Sequence, residues 1–188
     1  LLAGYGFAAT DTILMTLNRL SSKERYKGYD KVIEAIAGLK IKYPGIKYLL
    51  AGKYDSLEKD FADNLIQQSG LENKVVVAGY IEDDKLPAHF AMSDIYIMPS
   101  RGEGFGIVFI EAMYYGLPVI AGNEDGSADA LLHGELGQLV NPSDVKEIAT
   151  AIENIIKNKS SFNPDRKVLM KHFSYETYKR NLKEVLVV

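Results

Sequence analysis

The sequence predicts one α/β domain in which a parallel sheet is covered by helices on both faces. Short apolar runs alternate with longer amphipathic stretches along the 188 residues, a pattern typical of βαβ units with right-handed crossovers. Two of the runs, Val75–Ala78 and Pro118–Ala121, are apolar throughout, as strands buried on both faces should be. We therefore expect a Rossmann-like three-layer sandwich with about six parallel strands.

The predicted elements follow one another in strict alternation over most of the chain. The strands are short runs of apolar or β-branched residues: Thr12–Leu17, Ile46–Ala51, Lys74–Ala78, Asp94–Met98, Leu117–Ala121 and Gly137–Val140. The helices have near-helical apolar spacing or recognisable ends: Tyr29–Tyr43, Ser56–Ser69, Asp83–Met92, Gly106–Tyr115, Ser127–Leu132, Ser143–Lys157, Pro164–His172 and Tyr175–Val185. Ser56 and Ser143 are predicted to cap their helices, because a serine hydroxyl accepts a hydrogen bond from the first turn.

Composition and charge exclude several functions. The chain carries 22 Lys and Arg against 25 Asp and Glu, so it lacks the basic excess of a general nucleic-acid binder, and we expect no nucleic-acid partner. It has no cysteine, which excludes disulfides, thiolate metal sites and a cysteine nucleophile. The histidines, His89, His133 and His172, do not have the spacing of metal ligands, so no metal site is predicted.

The chain is predicted to be one domain behind a short leading segment. Residues 1–11 are apolar and glycine-rich without a basic region, so we expect a linker or a cut end rather than a signal peptide. Residues 12–188 are expected to form the domain. No apolar run reaches the roughly 18 residues that a membrane-spanning helix needs.

The loop after the fourth predicted strand is the first candidate binding segment. Ligands of open parallel sheets bind beyond the carboxyl ends of the strands. Here Gly102, Gly104 and Gly106 lie directly before a helix, so the backbone can approach a ligand closely. The N–H groups of Phe105 to Val108 would form an anion site suited to phosphate. A tight turn without a ligand is the alternative.

Charged residues frame this anion site in the sequence. Glu103 and Glu111 lie on either side of the predicted helix start, and carboxylates can accept hydrogen bonds from paired sugar hydroxyls. Arg19 follows the first strand and Lys27 precedes Gly28, so both cations are expected at the same sheet edge, where they can clamp phosphate. Each of these residues, taken singly, can also be a solvated surface residue.

Several of these segments together resemble a known family. Residues 103–113, EGFGIVFIEAM, resemble the E-x7-E signature of family 4 retaining glycosyltransferases with the GT-B architecture. Further matching segments are Arg19-Leu20 with Lys27-Gly28, Gly79, Ser93-Asp94, Met98-Pro99-Ser100, residues 116–121 and residues 137–140. The resemblance covers about residues 12–157 and extends more loosely to the last helices.

The resemblance implies a fold, an activity and partners. GT-B enzymes have two Rossmann-like domains, and this chain looks like the C-terminal one, which binds the nucleotide-sugar donor. The implied reaction transfers a hexose from a nucleoside diphosphate sugar to an acceptor with retention. The missing N-terminal domain would carry the acceptor site, so the isolated chain is expected to be inactive. No cofactor is implied beyond the donor as co-substrate.

The resemblance also implies residue roles. Arg19 and Lys27 would bind the donor diphosphate and, with the helix dipole, stabilise it as it leaves. Glu103 would contact a hydroxyl of the transferred sugar, and Glu111 would hold the ribose hydroxyls. The remaining donor-binding candidates act mainly through backbone groups: Gly104, Phe105, Gly106, Ile107 and Val108 at sugar and phosphate, Tyr80 or Ile81 at the base, and Gly126 by close approach. Phe105 can instead pack beneath its loop.

The chain departs from the family pattern in three places. Residues 52–55, on the side where the base would bind, read Gly-Lys-Tyr-Asp where the family commonly has Gly-Asp-Gly-Pro. The basic segment Ser21–Lys27, which carries Lys27, is longer than usual. Asp129 stands where the family has Glu.

Other functions remain open at this point. A nucleotide-sugar epimerase-like or phosphorolytic enzyme would use the same architecture, and a non-catalytic sugar-nucleotide binding module is a further alternative. A dinucleotide-binding interpretation is weaker, because no G-x-G-x-x-G follows the first strand. The expected location is cytoplasmic, including the inner face of the membrane, with peripheral membrane association of the full-length protein as an alternative.

Overall fold

One six-stranded parallel sheet forms the centre of the computed structural model, which describes residues 1–186. The strands are β1 (Thr12–Leu17), β2 (Ile46–Ala51), β3 (Val75–Gly79), β4 (Ile95–Met98), β5 (Val119–Gly122) and β6 (Gln138–Val140). Their order across the sheet is β3-β2-β1-β4-β5-β6, and every neighbouring pair is parallel. The predicted Rossmann-like sandwich with about six strands is therefore confirmed.

Eight α-helices cover the two faces of this sheet in the part of the chain that the structure describes. They are α1 (Tyr29–Leu39), α2 (Ser56–Gln68), α3 (Leu86–Met92), α4 (Ile107–Tyr114), α5 (Ser127–Ala130), α6 (Val145–Lys157), α7 (Arg166–Phe173) and α8 (Tyr175–Leu186). Residues 187–188, the end of the predicted domain, lie outside the described residues. No helix among residues 1–186 has both the length and the apolar character needed to cross a bilayer.

Two helix starts differ from the prediction. Asp55, not Ser56, caps α2, and its carboxylate accepts a hydrogen bond from Glu58 N at 2.8 Å. Asp144, not Ser143, caps α6, and its carboxylate accepts from the N–H groups of Lys146 and Glu147. In both cases an aspartate lies next to the serine, and its carboxylate is the stronger acceptor for the free N–H groups of the first turn.

Two other predicted helices are shorter than expected. The first helix ends at Leu39, and residues 40–43 form a turn before Pro44 and β2. The stretch predicted as one helix from Asp83 to Met92 begins with a 3₁₀ turn over Asp83–Lys85 and continues as α3. Pro87 lies in the first turn of α3, where the missing N–H of a proline costs no helical hydrogen bond.

Each face of the sheet has its own hydrophobic core. The side chains of Leu14, Leu50 and Ile97 pack beneath α1, α2 and α6. Met15, Tyr96 and others on the opposite face pack beneath α3, α4, α5 and α7. Because both faces are covered, the free edge for a ligand is the edge where the strands end, as the sequence predicts.

Residues 1–11, expected to be a linker or a cut end, are packed against the domain. Leu2–Tyr5 forms a 3₁₀ turn, and the Phe7 ring is buried with Ile13 and Leu49. The Tyr5 hydroxyl lies 2.9 Å from Nε2 of His89, whose Nδ1 lies 2.7 Å from the Lys85 carbonyl oxygen. His89 is buried and serves this packing.

Gly52 directly follows β2 and lies against the backbone at the end of β1, where no side chain fits. Its φ is +134°, and a Cβ there would lie 1.6 Å from the Asn18 carbonyl oxygen. The segments that follow β1 and β2 stay paired beyond Gly52, because Leu20 N donates to Lys53 O at 2.8 Å and Asp55 N donates to Leu20 O at 3.1 Å. The close contact between Gly52 and Asn18 therefore lies at the start of the loop after β1.

Replacing Gly52 by alanine is expected to lower the free energy of unfolding by about 3 kcal/mol, because the methyl group meets backbone and the φ value is strained. The matched control is Gly38→Ala in α1, where a Cβ would have no neighbour within 4 Å beyond its own helix. That change should raise stability by roughly 0.5–1 kcal/mol, since helical glycine costs backbone entropy. Urea unfolding followed by circular dichroism measures both changes. Equal effects of the two substitutions would contradict the steric constraint assigned to Gly52.

Candidate functional site

The site lies where the strand order of the sheet reverses. β1 and β4 are neighbours, but the chain leaves β1 towards β2 and leaves β4 towards β5. The loops after these two strands therefore diverge and leave a crevice between them, which is where doubly wound sheets bind ligands. Arg19 and Lys27 lie on the first loop, and Glu103 lies on the second.

The loop after β1 brings its two predicted cations to this crevice. Arg19 is largely exposed and forms an ion pair with Glu24 of the same loop. Lys27 ends a short 3₁₀ turn and forms an ion pair with Glu103, and both side chains are mostly buried. Gly28 has a φ of +79°, and a Cβ there would lie 2.2 Å from the Pro99 carbonyl oxygen. The two loops therefore touch directly beside Lys27.

The loop after β4 delivers the start of α4 to the same crevice. Gly106 adopts a left-handed conformation, and the Phe109 ring fills the space where its side chain would be. The first helical hydrogen bond runs from Phe109 N to Gly106 O at 2.9 Å. The N–H groups of Ile107 and Val108 precede this bond, so they are available to an anion at the positive end of the helix.

Asp125 holds this loop in place, and local sequence gives no sign of that role. One carboxylate oxygen accepts from Glu103 N at 2.6 Å, and the other accepts from Ser127 N at 2.9 Å. Gly126 N donates to the Glu103 carbonyl oxygen at 3.0 Å, and the Gly126 backbone packs against Gly104. Gly126, expected from the sequence to lie close to the nucleotide-sugar donor, supports this loop through its backbone. Its small size is the sequence signal, and in the structure this small size allows close approach to the Gly104 backbone.

The loop after β1, the loop after β4 and the start of α4 line a first cavity of about 350 Å³. Arg19, Lys27 and Glu103 share it with the start of α4, so the structure brings these three predicted residues together. The full lining is Leu17, Asn18, Arg19, Glu24, Lys27, Met98, Glu103, Gly106, Ile107 and Val108.

A second cavity of about 370 Å³ continues from the first over Leu17, Asn18 and Arg19. Tyr80 and Ile81, the predicted base-side residues, line it. Lys53 lies there too, with its ammonium 4.8 Å from the centre of the Tyr80 ring. The departure from the family pattern at residue 53 thus places a cation beside an aromatic ring, an arrangement that is favourable in itself.

Asn18 lies between the two cavities and has no distinctive sequence signature. Neither the amide nitrogen nor the amide oxygen of its side chain has a hydrogen-bond partner among residues 1–186. Buried polar groups are normally paired, so this residue marks the centre of the crevice as a place with unsatisfied hydrogen-bonding capacity. Its position directly after the first strand is the signal that could have identified it.

Glu111 lines a third cavity of about 560 Å³, which meets the second at Asp83 and Leu86. Burial raises the pKa of the Glu111 carboxyl, and the nearby Asp83 carboxylate raises it further. Glu103 and Glu111 therefore lie at opposite ends of one row of cavities, with Arg19 between them. Asp83 was not identified in the sequence because nothing in its local context distinguishes it from a solvated acid.

Two predicted ligand contacts lie apart from the first cavity. The Phe105 ring packs edge-on against Phe173, with centroids 5.9 Å apart, so the structure favours the packing role. Gly104 contacts the Gly126 backbone and is not among the residues lining the row of cavities. Among residues 1–186 there is no group of three or more His, Asp or Glu side chains placed to hold a metal ion.

Fold and site together define the class: a Rossmann-like domain of the GT-B type, whose crevice at the point where strand order reverses is lined by Arg19, Lys27 and the carboxylates paired with them. The chain matches the family described as "Glycosyl transferases group 1" over residues 3–180. It belongs to that family.

Relatives with curated names share the same region. The GDP-mannose-dependent alpha-(1-6)-phosphatidylinositol monomannoside mannosyltransferase of Mycolicibacterium smegmatis is 32% identical over 151 residues, which are 77% of this chain and 38% of that protein. The mannosylfructose-phosphate synthase of Agrobacterium fabrum is 28% identical over 158 residues, 81% of this chain and 34% of that protein. The chain thus spans little more than a third of the length of these relatives.

Solved structures agree in fold. Anabaena Alr3699/HepE in complex with UDP and glucose superimposes with a TM-score of 0.83 at 27% identity, over 98% of this chain and 49% of that one. Sucrose-phosphate synthase from Thermosynechococcus elongatus gives a TM-score of 0.83 at 26% identity, over 97% of this chain and 46% of that one. This chain therefore corresponds to about half of each.

The raised pKa of Glu111 predicts a pH-dependent cost to stability. A carboxyl with a folded pKa above its ordinary value of 4.5 binds its proton more tightly in the folded state. The stability that this tighter proton binding contributes is therefore present at low pH and is lost as pH rises through the folded pKa. Glu111→Gln should be modestly more stable than the parent at neutral pH, with the gain vanishing towards about pH 4.

Unfolding free energies from urea titrations between acidic and neutral pH measure this difference. Glu124→Gln, at an exposed loop position, is the matched control for loss of a glutamate charge. If the Glu111→Gln gain were the same at every pH, desolvation of the Glu111 carboxylate would not be its cause.

Proposed function

We propose that this chain is the donor-binding half of a retaining hexosyltransferase whose donor is a nucleoside diphosphate sugar. The observation that carries the proposal is the first cavity, where Arg19, Lys27 and the start of α4 converge. Three positive groups around a cavity of this size suit a diphosphate, which carries its charge on several oxygens. Two of the relatives described above agree, since one is a GDP-mannose-dependent mannosyltransferase and the other was solved in complex with UDP and glucose.

The chemical task of this half is to stabilise the diphosphate as it leaves the sugar. Charge develops on the leaving oxygen as the glycosidic bond breaks, and preorganised cations and N–H groups lower the energy of that state. Arg19, Lys27 and the N–H groups of Ile107 and Val108 supply this stabilisation. The proposal assigns the role to these protein groups and adds no cofactor to the donor.

Glu103 is assigned to the sugar and Glu111 to the ribose. The Glu103 carboxylate forms an ion pair with Lys27 and so lies at the phosphate end of the row of cavities, where a hydroxyl of the transferred hexose can donate to it. Glu111 lines the third cavity, which adjoins the cavity of Tyr80 and Ile81 at Asp83 and Leu86. Because the ribose joins the diphosphate to the base in the donor, the ribose would lie between Arg19 and the base, and Glu111 would reach its hydroxyls from the side of the third cavity.

The rest of the reaction belongs to parts outside this chain. Because the chain spans about half of its structural relatives, we propose that an N-terminal domain carries the acceptor site and that the chain alone binds donor without transferring its sugar. We place the protein in the cytoplasm, with the inner membrane face as the site of action if the acceptor is a lipid.

Binding of UDP, GDP and ADP to the purified chain, measured by calorimetry, tests this proposal. Arg19→Met should lower the affinity for whichever nucleotide binds by about tenfold, because one charge-assisted phosphate contact is lost. The affinity should also depend less strongly on salt concentration. Lys23→Met is the matched control, since Lys23 is an exposed cation of the same loop that lines none of the three cavities.

Two results would defeat the proposal. The first is a folded chain that binds none of the three nucleotides at millimolar concentration. The second is an equal loss of affinity in Lys23→Met and Arg19→Met, which would reduce the effect to overall charge. Assay of the full-length protein for donor consumption with and without acceptor then separates transfer from epimerisation.

A further inference from the structure

A fully buried carboxylate lies behind the cationic loop and takes no part in the row of cavities. Glu58, in the first turn of α2, has no exposed side-chain surface. The Arg25 guanidinium bonds both of its oxygens through Nε, at 2.9 and 3.2 Å, and the Tyr29 hydroxyl donates to one of them. A buried charge is costly unless paired and hydrogen-bonded, and these two partners meet that need.

The two partners of Glu58 lie on either side of Lys27. Arg25 begins the short 3₁₀ turn that ends at Lys27, and Tyr29 begins α1. One carboxylate therefore fixes both ends of a five-residue segment, and the Lys27 ammonium projects from its middle to Glu103 in the first cavity. Arg25 is held in addition by stacking on the Phe61 ring, 3.8 Å from its centre.

The residue that caps the same helix holds the other end of the loop. Asp55 accepts from Ser22 N at 3.0 Å while it caps α2. Asp55 and Glu58 thus bind the loop at two points, and Asp55 is part of the Gly-Lys-Tyr-Asp sequence that departs from the family pattern. The basic loop after β1 and the segment after β2, two of the places where the sequence departs from the family pattern, therefore contact each other through Asp55.

We propose that Glu58 is a positioning residue for nucleoside diphosphate binding: it holds the Arg25–Tyr29 segment so that Lys27 stands in the first cavity before the donor arrives. The inference rests on the proposed function for its ligand. Fixing Lys27 in advance lowers the entropy lost when phosphate binds, so the benefit is seen as affinity for the diphosphate.

A double-mutant cycle on nucleotide affinity tests the coupling. Glu58→Gln keeps the shape of the side chain and removes its charge, and it should weaken UDP or GDP binding by about tenfold. In a Lys27→Met background the same change should cost no more than about twofold, because the group that it positions is gone. Binding of the corresponding nucleoside, which lacks phosphate, should be unchanged by Glu58→Gln.

The controls separate positioning from general damage. Asp63→Asn removes another carboxylate of α2, one paired with Lys59 at the surface, and should leave affinity unchanged. Tyr29→Phe deletes a single hydrogen bond to Glu58 and should give a smaller loss of the same kind if Glu58→Gln fails to fold. Equal losses with and without Lys27, or an equal loss of nucleoside binding, would overturn the inference.

A second measurement needs no nucleotide. Limited acylation with acetic anhydride, read by peptide mass spectrometry, reports how well the Lys27 amine is sheltered relative to exposed Lys146. Glu58→Gln or Tyr29→Phe should raise Lys27 labelling several-fold, and Asp63→Asn should not. Unchanged Lys27 labelling would overturn the role of Glu58 whether or not nucleotides bind, whereas failure of the parent to bind nucleotides would overturn only the proposed function.

Discussion

The site depends on one constraint, the reversal of strand order between β1 and β4. After β1 the chain continues towards β2, and after β4 it continues in the opposite direction towards β5. The loops that follow these two strands therefore leave the crevice between them uncovered. The crevice floor is then the strand ends themselves, and its walls are the loop after β1 and the loop after β4 with the start of α4. Every residue that lines the first cavity belongs to one of these segments.

Charge pairing keeps this crevice in shape in the absence of a ligand. Lys27 binds Glu103 across the crevice, and Arg19 binds Glu24 within its own loop. The first pair is mostly buried and joins the two walls, whereas the Arg19 side chain is largely exposed. A polyanion entering the cavity would compete with carboxylates for both cations, so its gain in energy is smaller than the bare number of cations indicates.

The architecture and the core of the site follow from local sequence, and the supporting contacts do not. Alternation of apolar runs predicts all six strands, and glycines before a helix predict the anion site, because both signals act within a few residues. Asp125 and Glu58 could not be identified in this way because their partners lie 22 and 33 residues away. The capping aspartates Asp55 and Asp144 were missed for a different reason, since adjacent serines satisfy the same capping rule.

The packing of the first residues ties the beginning of the chain to α3, beside the place where the second and third cavities meet. The Tyr5 hydroxyl meets a buried imidazole on α3, and that imidazole reaches back to the carbonyl of Lys85, two residues after Asp83. If the leading segment were displaced, His89 would lose the Tyr5 hydroxyl, one of its two hydrogen-bond partners. One ring nitrogen of a buried imidazole would then be unpaired, which costs free energy. A mechanical pull on Leu1 would thus act, through Tyr5 and His89, beside Asp83 and Leu86, where the second and third cavities meet.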